Sequence, residues 1–403
     1  MEVAVFGYGN IGSGVVAVIE RNQDRMVNAV GENIHVKYVL DLREFEGDPI
    51  HDRVVHDVDI IVNDPEIQVV CETMGGNEPA YTFTKKALMA GKSVCTSNKE
   101  LVANHGAELI QIAKEHHCNY FFEASVGGGI PVIRTINNAL KQEHILNISG
   151  IVNGTTNYML TKMDREGAAY EDVLKQAQEK GYAERNPEAD VEGHDACRKI
   201  AILSSLMSGK TVDFKKIYTE GITGITAEDF LYARKLNATI KLLAMSKCTE
   251  NGYLAMVSPF VISAKHPLYS VNDVFNGIFV KGDMLGDSMY YGSGAGKLPT
   301  ASAVVADVIE AIRFKGTHLG VDWNSEEADL IEMADSTRKF LVRVSKECEV
   351  STLSDVFGKG TVVTVDELPD EYAFLTEAMS EKKFAEKTAN LKGFISRLRV
   401  EEA

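Results

Sequence analysis

The feature that most constrains this 403-residue chain stands at its start. Four apolar residues, Val3 to Phe6, run straight into Gly7-Tyr8-Gly9-Asn10-Ile11-Gly12, and Val15, Val16, Val18 and Ile19 continue beyond them. That order reads as strand, glycine turn, helix. The three glycines permit a tight turn, close backbone approach to a pyrophosphate and close helix packing, and the helix N-terminus adds partial positive charge. Further on, Asp41 closes a second expected strand, His35 to Leu40. A carboxylate there can accept hydrogen bonds from adenine ribose hydroxyls and repels the extra phosphate of NADP, which favours NAD. Arg43, close behind, can instead swing to that phosphate, so cofactor preference stays open.

More strands fit Val69 to Glu72 and Ser93 to Thr96, with a helix over Pro79 to Ala90, and this alternation predicts a parallel sheet. From about Leu146 the pattern changes. A strand over Ile148 to Val152 meets a turn at Asn153-Gly154, helices follow over Tyr170 to Lys180, Asp195 to Met207 and Ala227 to Met245, and strands fit Leu254 to Ile262 and Gly277 to Lys281. A helix over Ala301 to Ile312 leads into a polar stretch, Gly316 to Glu327, that holds the only tryptophan, Trp323, and reads as a linker. Strands at Lys339 to Val344, Thr361 to Val365, Tyr372 to Ala378 and Phe394 to Val400, with helices at Ser351 to Phe357 and Glu381 to Leu391, make a small βαββαβ module. The expected fold class is α/β: a Rossmann-type dinucleotide-binding domain over 1–145, closed by part of 300–318, a mixed α/β domain over 146–318, and the module over 335–403.

Composition narrows function. With 45% hydrophobic and 25% charged residues the chain has ample core, which excludes disorder and fibre. A net charge of −16 repels phosphate backbones and anionic membranes. No apolar run is long enough to span a bilayer, and the six scattered cysteines show no zinc spacing. A cytoplasmic protein with reduced cysteines, no nucleic-acid partner and no membrane partner is expected.

Four further segments can carry chemistry. Glu72-Thr73-Met74-Gly75-Gly76 and Thr96-Ser97-Asn98-Lys99 each follow a strand, at the sheet edge where open α/β folds bind ligands, although plain turn chemistry or a surface lysine explains the same letters. In Glu123-Ala-Ser-Val126-Gly-Gly128-Gly-Ile130-Pro131, glycines between a carboxylate and a proline can turn carbonyls around a small hard cation, or form a strained linker without one. Asp195 and Lys199 stand four apart on one predicted helix face beside an apolar stripe. A lysine at the edge of such a stripe suits proton transfer, whereas a solvated pair is worth only a few tenths of a kcal/mol, about 0.3–0.5.

Taken together, GYGNIG at 7–12, TSNKELVA at 96–103, EASVGGGIPVI at 123–133, NGTTNYML at 153–160, GYAE at 181–184, DVEGHDACRKIAIL at 190–203 and GSGAGKLPTASAVVADV at 292–308 resemble the homoserine dehydrogenase family. The resemblance runs in order from Gly7 to about Asp307. It implies reversible oxidation of L-homoserine to L-aspartate 4-semialdehyde with NAD or NADP, towards threonine and methionine, by a homodimer or tetramer whose 146–318 domain is catalytic and dimerising. It implies Lys199 as proton donor or acceptor at the substrate oxygen and Lys99 as a second lysine near nicotinamide and substrate. Glu184 and Asp195 would bind the amino and hydroxyl ends of homoserine, with Asp190 as support. The cofactor would be held by Gly7, Gly9, Asn10, Ile11, Gly12, Asp41, Thr73, Gly75, Ser97, Lys99, Gly181 and Gly294. Glu123 and the carbonyls of Val126, Gly128 and Ile130 would hold a monovalent cation, sodium.

Three positions depart from the family pattern. Asn186 replaces an acidic residue, removing one charge near the substrate amine, Leu40 replaces an arginine before Asp41, weakening the case for NADP, and Ser97 replaces an alanine. The 335–403 module resembles an ACT domain in element order, but Ser345-Lys-Glu-Cys-Glu-Val350 lacks an acidic-x-Pro-Gly loop, which argues against threonine feedback and for an interface or vestigial role. An aldehyde-oxidising enzyme would need an activated cysteine, and no cysteine here has such a setting. A nicotinamide-binding regulator without turnover would keep GYGNIG but have no need of Lys99, Glu184, Asp195 and Lys199 together.

Overall fold

The computed structural model describes residues 1–402, which form two compact units. The first comprises residues 1–144, 201–214 and 292–328. Its parallel sheet contains β1 (Glu2–Phe6), β2 (His35–Leu40), β3 (Val54–Val55), β4 (Ile67–Glu72), β5 (Ser93–Thr96) and β6 (Tyr120–Phe121), in the order β3-β2-β1-β4-β5-β6. This is the doubly wound order whose ligand crevice lies between β1 and β4, where the winding reverses. Val3, Val5, Val69, Cys71 and Cys95 point into one core with Val15, Val16 and Ile19 of helix Asn10–Arg21 and with Ala301, Val304 and Val308 of helix Lys297–Arg313. The two helices approach so closely that a Cβ on Gly14 would lie 2.9 Å from the Lys297 carbonyl oxygen.

The second unit comprises residues 145–200, 215–291 and 329–402. Its strands are β7 (Ile145–Ile151), β8 (Tyr218–Thr219), β9 (Ala238–Thr249), β10 (Gly252–Ser263), β11 (Phe275–Gly282), β12 (Gly286–Ser293), β13 (Thr337–Ser345), β14 (Gly360–Val363), β15 (Glu371–Thr376), β16 (Met379–Ser380) and β17 (Phe394–Glu401). The mixed sheet runs β12-β11-β7-β9-β10-β17-β13-β15-β14, with β8 on β10 and β16 on β13. Residues 337–401 follow the βαββαβ order with helices Val350–Phe357 and Glu381–Thr388, but they are no appendage, because β17 pairs in parallel with β10 inside the shared sheet.

Two expectations are corrected. The helix expected over Ala227 to Met245 ends at Lys235; Asn237 adopts a left-handed φ of 52°, and the chain continues as β9. From Ala238 to Ser246 every β9 residue is buried, so neither face shows the alternation that marks a strand, and pairing with β7 and β10 decides the outcome. Nor is Gly316 to Glu327 a linker. Trp323 is 5% exposed, lies against Gly106 of helix Lys99–Glu115, packs edge-on to Phe122 and donates from Nε1 to Thr211 Oγ1 at 3.1 Å. No helix among the described residues is long and apolar enough to cross a membrane.

Candidate active site

The first unit gathers the glycine-turn residues at the C-terminal ends of β1, β2, β4 and β5. Gly7, with φ at 87°, donates its N–H to the Leu40 carbonyl at 2.8 Å, and a Cβ there would meet Met74. Gly12 is more tightly constrained, since its Cβ would fall 1.9 Å from the Gly7 carbonyl oxygen and 2.8 Å from Thr73 Oγ1. Only glycine lets the helix begin there. Gly9 caps helix Asn10–Arg21 with no side chain of its own, and Gly9 and Asn10 are exposed at its N-terminus while Ile11 is half-buried. The cradle therefore offers open backbone at a helix N-terminus, which suits a pyrophosphate.

Thr73 donates its hydroxyl to the carbonyls of Phe6 and Gly7, so it fixes the turn. Gly75, at φ 77°, is exposed beside it. Asn98, not singled out from the sequence, caps helix Lys99–Glu115 by accepting from the Leu101 N–H and donates to the Gly76 carbonyl. Glu72 is fully buried, accepts from Thr96 Oγ1 at 2.6 Å and from the Met74 N–H at 2.8 Å, and burial raises its pKa. These contacts lock the two loops together and leave Ser97 and Lys99 half-buried at the mouth of the sheet.

Asp41 ends β2 as expected, but its carboxylate is engaged. It accepts from the Tyr8 N–H at 2.8 Å, the Arg43 N–H at 3.1 Å and two guanidinium nitrogens of Arg43 at 2.9 Å each. The Arg43 hydrogen bonds hold its carboxyl at about 2.

The glycine-rich loop after Glu123 belongs to the same unit. Glu123 is buried, its oxygens accept from the Ile133 N–H at 2.8 Å and the Arg134 N–H at 2.6 Å, and burial raises its pKa. Val126, Gly128 and Ile130 are buried with it, and Gly128, at φ 57°, touches Gly294, whose carbonyl oxygen would lie 2.5 Å from an added Cβ. A carboxylate with lone pairs to spare, on a buried loop that only glycines can turn, fits a small monovalent ion.

The second unit joins Asp190, Asp195 and Lys199 in one cluster and carries Gly181 and Glu184 on an exposed loop. Lys199 donates to Asp195 Oδ2 at 2.8 Å and to the Val152 carbonyl at 2.7 Å, with side chains 11% and 6% exposed for Lys199 and Asp195. The pair is thus not a solvated one. Asn153, the missed member, caps helix Gly154–Glu166 with Oδ1 and donates through Nδ2 to Asp195 Oδ2 at 2.9 Å and to Asp190 Oδ1 at 2.7 Å. A strand followed by Asn-Gly-Thr-Thr was the available signal for this cap. Gly181, at φ 73°, and Glu184 lie exposed on the loop after helix Tyr170–Glu179, which is tied down by Thr155 Oγ1 on the Tyr182 carbonyl and Gln178 on the Glu184 carbonyl. Asn186 is exposed on the same loop.

Chemically, this cluster sets an ammonium beside a carboxylate that a neutral amide joins to a second carboxylate, an arrangement that can bind an amino alcohol and move one proton. The family model for homoserine dehydrogenase matches residues 131–309, and the model for its NAD-binding domain matches residues 7–123. The homoserine dehydrogenase of Bacillus subtilis is 39% identical over 364 residues, spanning 88% of this chain and 84% of that protein. The crystal structure of a homoserine dehydrogenase from Thiobacillus denitrificans superposes with a TM-score of 0.91 at 33% identity, over 100% of this chain and 98% of that one. A hyperthermophilic archaeal homoserine dehydrogenase solved in complex with NADPH matches with a TM-score of 0.66 at 28% identity, over 77% of this chain and 97% of that one. With the dinucleotide cradle in one unit and the lysine–carboxylate cluster in the other, the chain belongs to the homoserine dehydrogenase family and is an NAD(P)-dependent oxidoreductase acting on L-homoserine and L-aspartate 4-semialdehyde.

Proposed function

We propose that Lys199 takes the proton from the homoserine hydroxyl during oxidation and returns it to the aldehyde oxygen during reduction. The observation that carries this reading is the buried Lys199–Asp195 pair joined through Asn153 to Asp190. Asp195 orients the lysine and meets the hydroxyl end of the substrate, Asp190 supports it, and Glu184 holds the amino end. Lys99, in the first turn of its helix, serves as the second lysine. When bound, the nicotinamide supplies or accepts the hydride. The chain then needs only to align the reacting carbon and move one proton, worth about 10²–10⁴ in rate.

Gly7, Gly9, Asn10, Ile11, Gly12, Thr73, Gly75 and Ser97 would hold the dinucleotide, with Gly181 and Gly294 as further contacts. NAD is the favoured cofactor, with Asp41 accepting the ribose hydroxyls. A second reading, NADP, draws on the position of Arg43, whose side chain is 61% exposed beside that carboxylate. Sodium would sit with Glu123 and the carbonyls of Val126, Gly128 and Ile130. Domains over 1–145 (closed by part of 300–318), 146–318 and 335–403, a homodimer or tetramer and a cytosolic setting that suits six free cysteines complete the proposal.

Steady-state turnover of Asp195→Asn and Glu184→Gln tests these roles. Asp195→Asn is expected to lower kcat by about 10²-fold or more, and Glu184→Gln to raise the homoserine KM by about tenfold with kcat little changed. Wild-type constants in both variants would remove the assignments. Exchange of sodium for choline is expected to lower activity, and equal rates in both salts would remove the cation.

A further inference from the structure

The C-terminal strand β17 reaches the substrate cluster through one carboxylate, that of Glu220. Arg397 binds Glu220 with two parallel hydrogen bonds of 2.9 Å each, one to each carboxylate oxygen, and Arg399, fully buried, donates to Oε2 as well. Arg399 is itself anchored by Glu381, Ser258 and Tyr218. Burial alone pushes the Glu220 carboxyl up, yet the Arg397 hydrogen bonds and the charges of both arginines outweigh it and hold it at about 2. The carboxylate is therefore a fixed anion held by two guanidinium groups.

The backbone that follows Glu220 lies directly on the substrate segment. A Cβ on Gly221 would stand 2.1 Å from the Val191 carbonyl oxygen and 2.5 Å from the Glu192 Cα. The Ile222 N–H donates to that same carbonyl at 2.8 Å, and Gly193 rests on the Thr219 side chain. Val191 is the immediate neighbour of Asp190, whose carboxylate meets Asn153 and, through it, Asp195 and Lys199. The four-residue helix Glu188–Val191 that carries Asp190 is too short to hold its own geometry, so its position depends on what it packs against.

We propose that Glu220 is a positioning residue for homoserine: clamped by Arg397 and Arg399 of the C-terminal strand, it fixes the backbone that seats Val191 and so sets the place of the Asp190 carboxylate. The inference rests on the reading of Asp190, Asp195 and Lys199 as the substrate end of the site. It also gives residues 394–401 a part in substrate binding.

The test measures kcat and both KM values for full-length Glu220→Gln, Arg397→Gln and the double variant, with thermal melting as a control for folding. The homoserine KM is expected to rise about tenfold in each single variant, with kcat within about threefold and the cofactor KM within about twofold. The homoserine KM of the double variant should rise no further than that of Glu220→Gln alone, because the Arg397–Glu220 contact is already broken in Glu220→Gln. If Glu220→Gln does not fold, Arg397→Lys takes its place; it keeps the charge but forfeits the paired geometry, and a homoserine KM about threefold higher is expected. A folded variant with an unchanged homoserine KM, an equal rise in the cofactor KM, or fully additive effects would overturn the proposal. Lys199→Ala, measured alongside, separates the two readings. Wild-type turnover in Lys199→Ala removes the active-site assignment itself, whereas a dead Lys199→Ala with an unchanged homoserine KM in Glu220→Gln removes only the positioning role.

Discussion

Lys241 sits in the middle of β9 at 1% exposure, and its ammonium donates to Asn157 Oδ1 at 3.2 Å, the Val271 carbonyl at 2.6 Å and Asn272 Oδ1 at 3.0 Å. Three donors meet three acceptors. Burial lowers its pKa to about 8, against roughly 10.4 in an unfolded chain. Between those values the unfolded chain binds the extra proton, so this lysine costs stability below pH 8 and the cost fades as pH rises through that window. Lys241→Met is expected to destabilise by roughly 2–4 kcal/mol near pH 7.5, because Asn157 Oδ1 and Asn272 Oδ1 lose their ammonium donor and the Val271 carbonyl keeps only the Asn157 amide. The gap to wild type should widen further by pH 9.5 in urea melts, and a gap that narrows would refute the assigned direction. On the proposed preference for NAD, Arg43→Ala should leave NAD turnover within about threefold of wild type and lower any NADP turnover about tenfold. Unchanged NADP turnover in that variant would remove Arg43 as the contact to the extra phosphate. Residue chemistry was partly legible, since the spacing of Asp195 and Lys199 put them on one helix face. Their burial was not, because the Val152 carbonyl and the Asn153 amide arrive from another element.

At the scale of elements, Gly12 and Trp323 carry opposite lessons. The first strand, turn and helix could be read from the pattern, and the structure adds why Gly12 is required: a Cβ would strike the Gly7 carbonyl. Gly12→Ala is expected to weaken NAD(P) binding by about tenfold or more, read by quenching of reduced-nicotinamide fluorescence, through displacement of the helix N-terminus from the cradle. Trp323 misled the reading because polar neighbours surround it in sequence, whereas its ring is packed on Gly106 and Phe122. Trp323→Ala is expected to cost about 3–5 kcal/mol in denaturant unfolding. A loss below about 0.5 kcal/mol would return the segment to linker status. β9 was misread for a related reason: an apolar run buried on both faces has no period to distinguish strand from helix.

For the whole molecule, the element order of residues 337–401 was foreseeable, but their incorporation into the large sheet was not, since strand pairing between distant segments leaves no local mark. β17 covers the edge of β10, and Arg343 of β13 pairs with Asp229 at 2.8 Å and Glu371 at 2.7 Å. Removal of residues 335–403 would bare that edge and leave buried Asp229 without its guanidinium partner, so the truncated chain is expected to aggregate in size-exclusion chromatography. A monodisperse, active truncation would make the C-terminal region dispensable. In the proposed mechanism Lys199 moves the proton between the substrate oxygen and the protein, and chemical rescue of Lys199→Ala tests that step. Turnover of L-homoserine by that variant should fall by about 10²–10⁴-fold with NAD(P) binding retained, and added methylamine or ethylamine should restore part of it in proportion to amine concentration. A Lys199→Ala enzyme that turns over within about threefold of wild type, or one whose lost rate no small amine restores, would contradict the account.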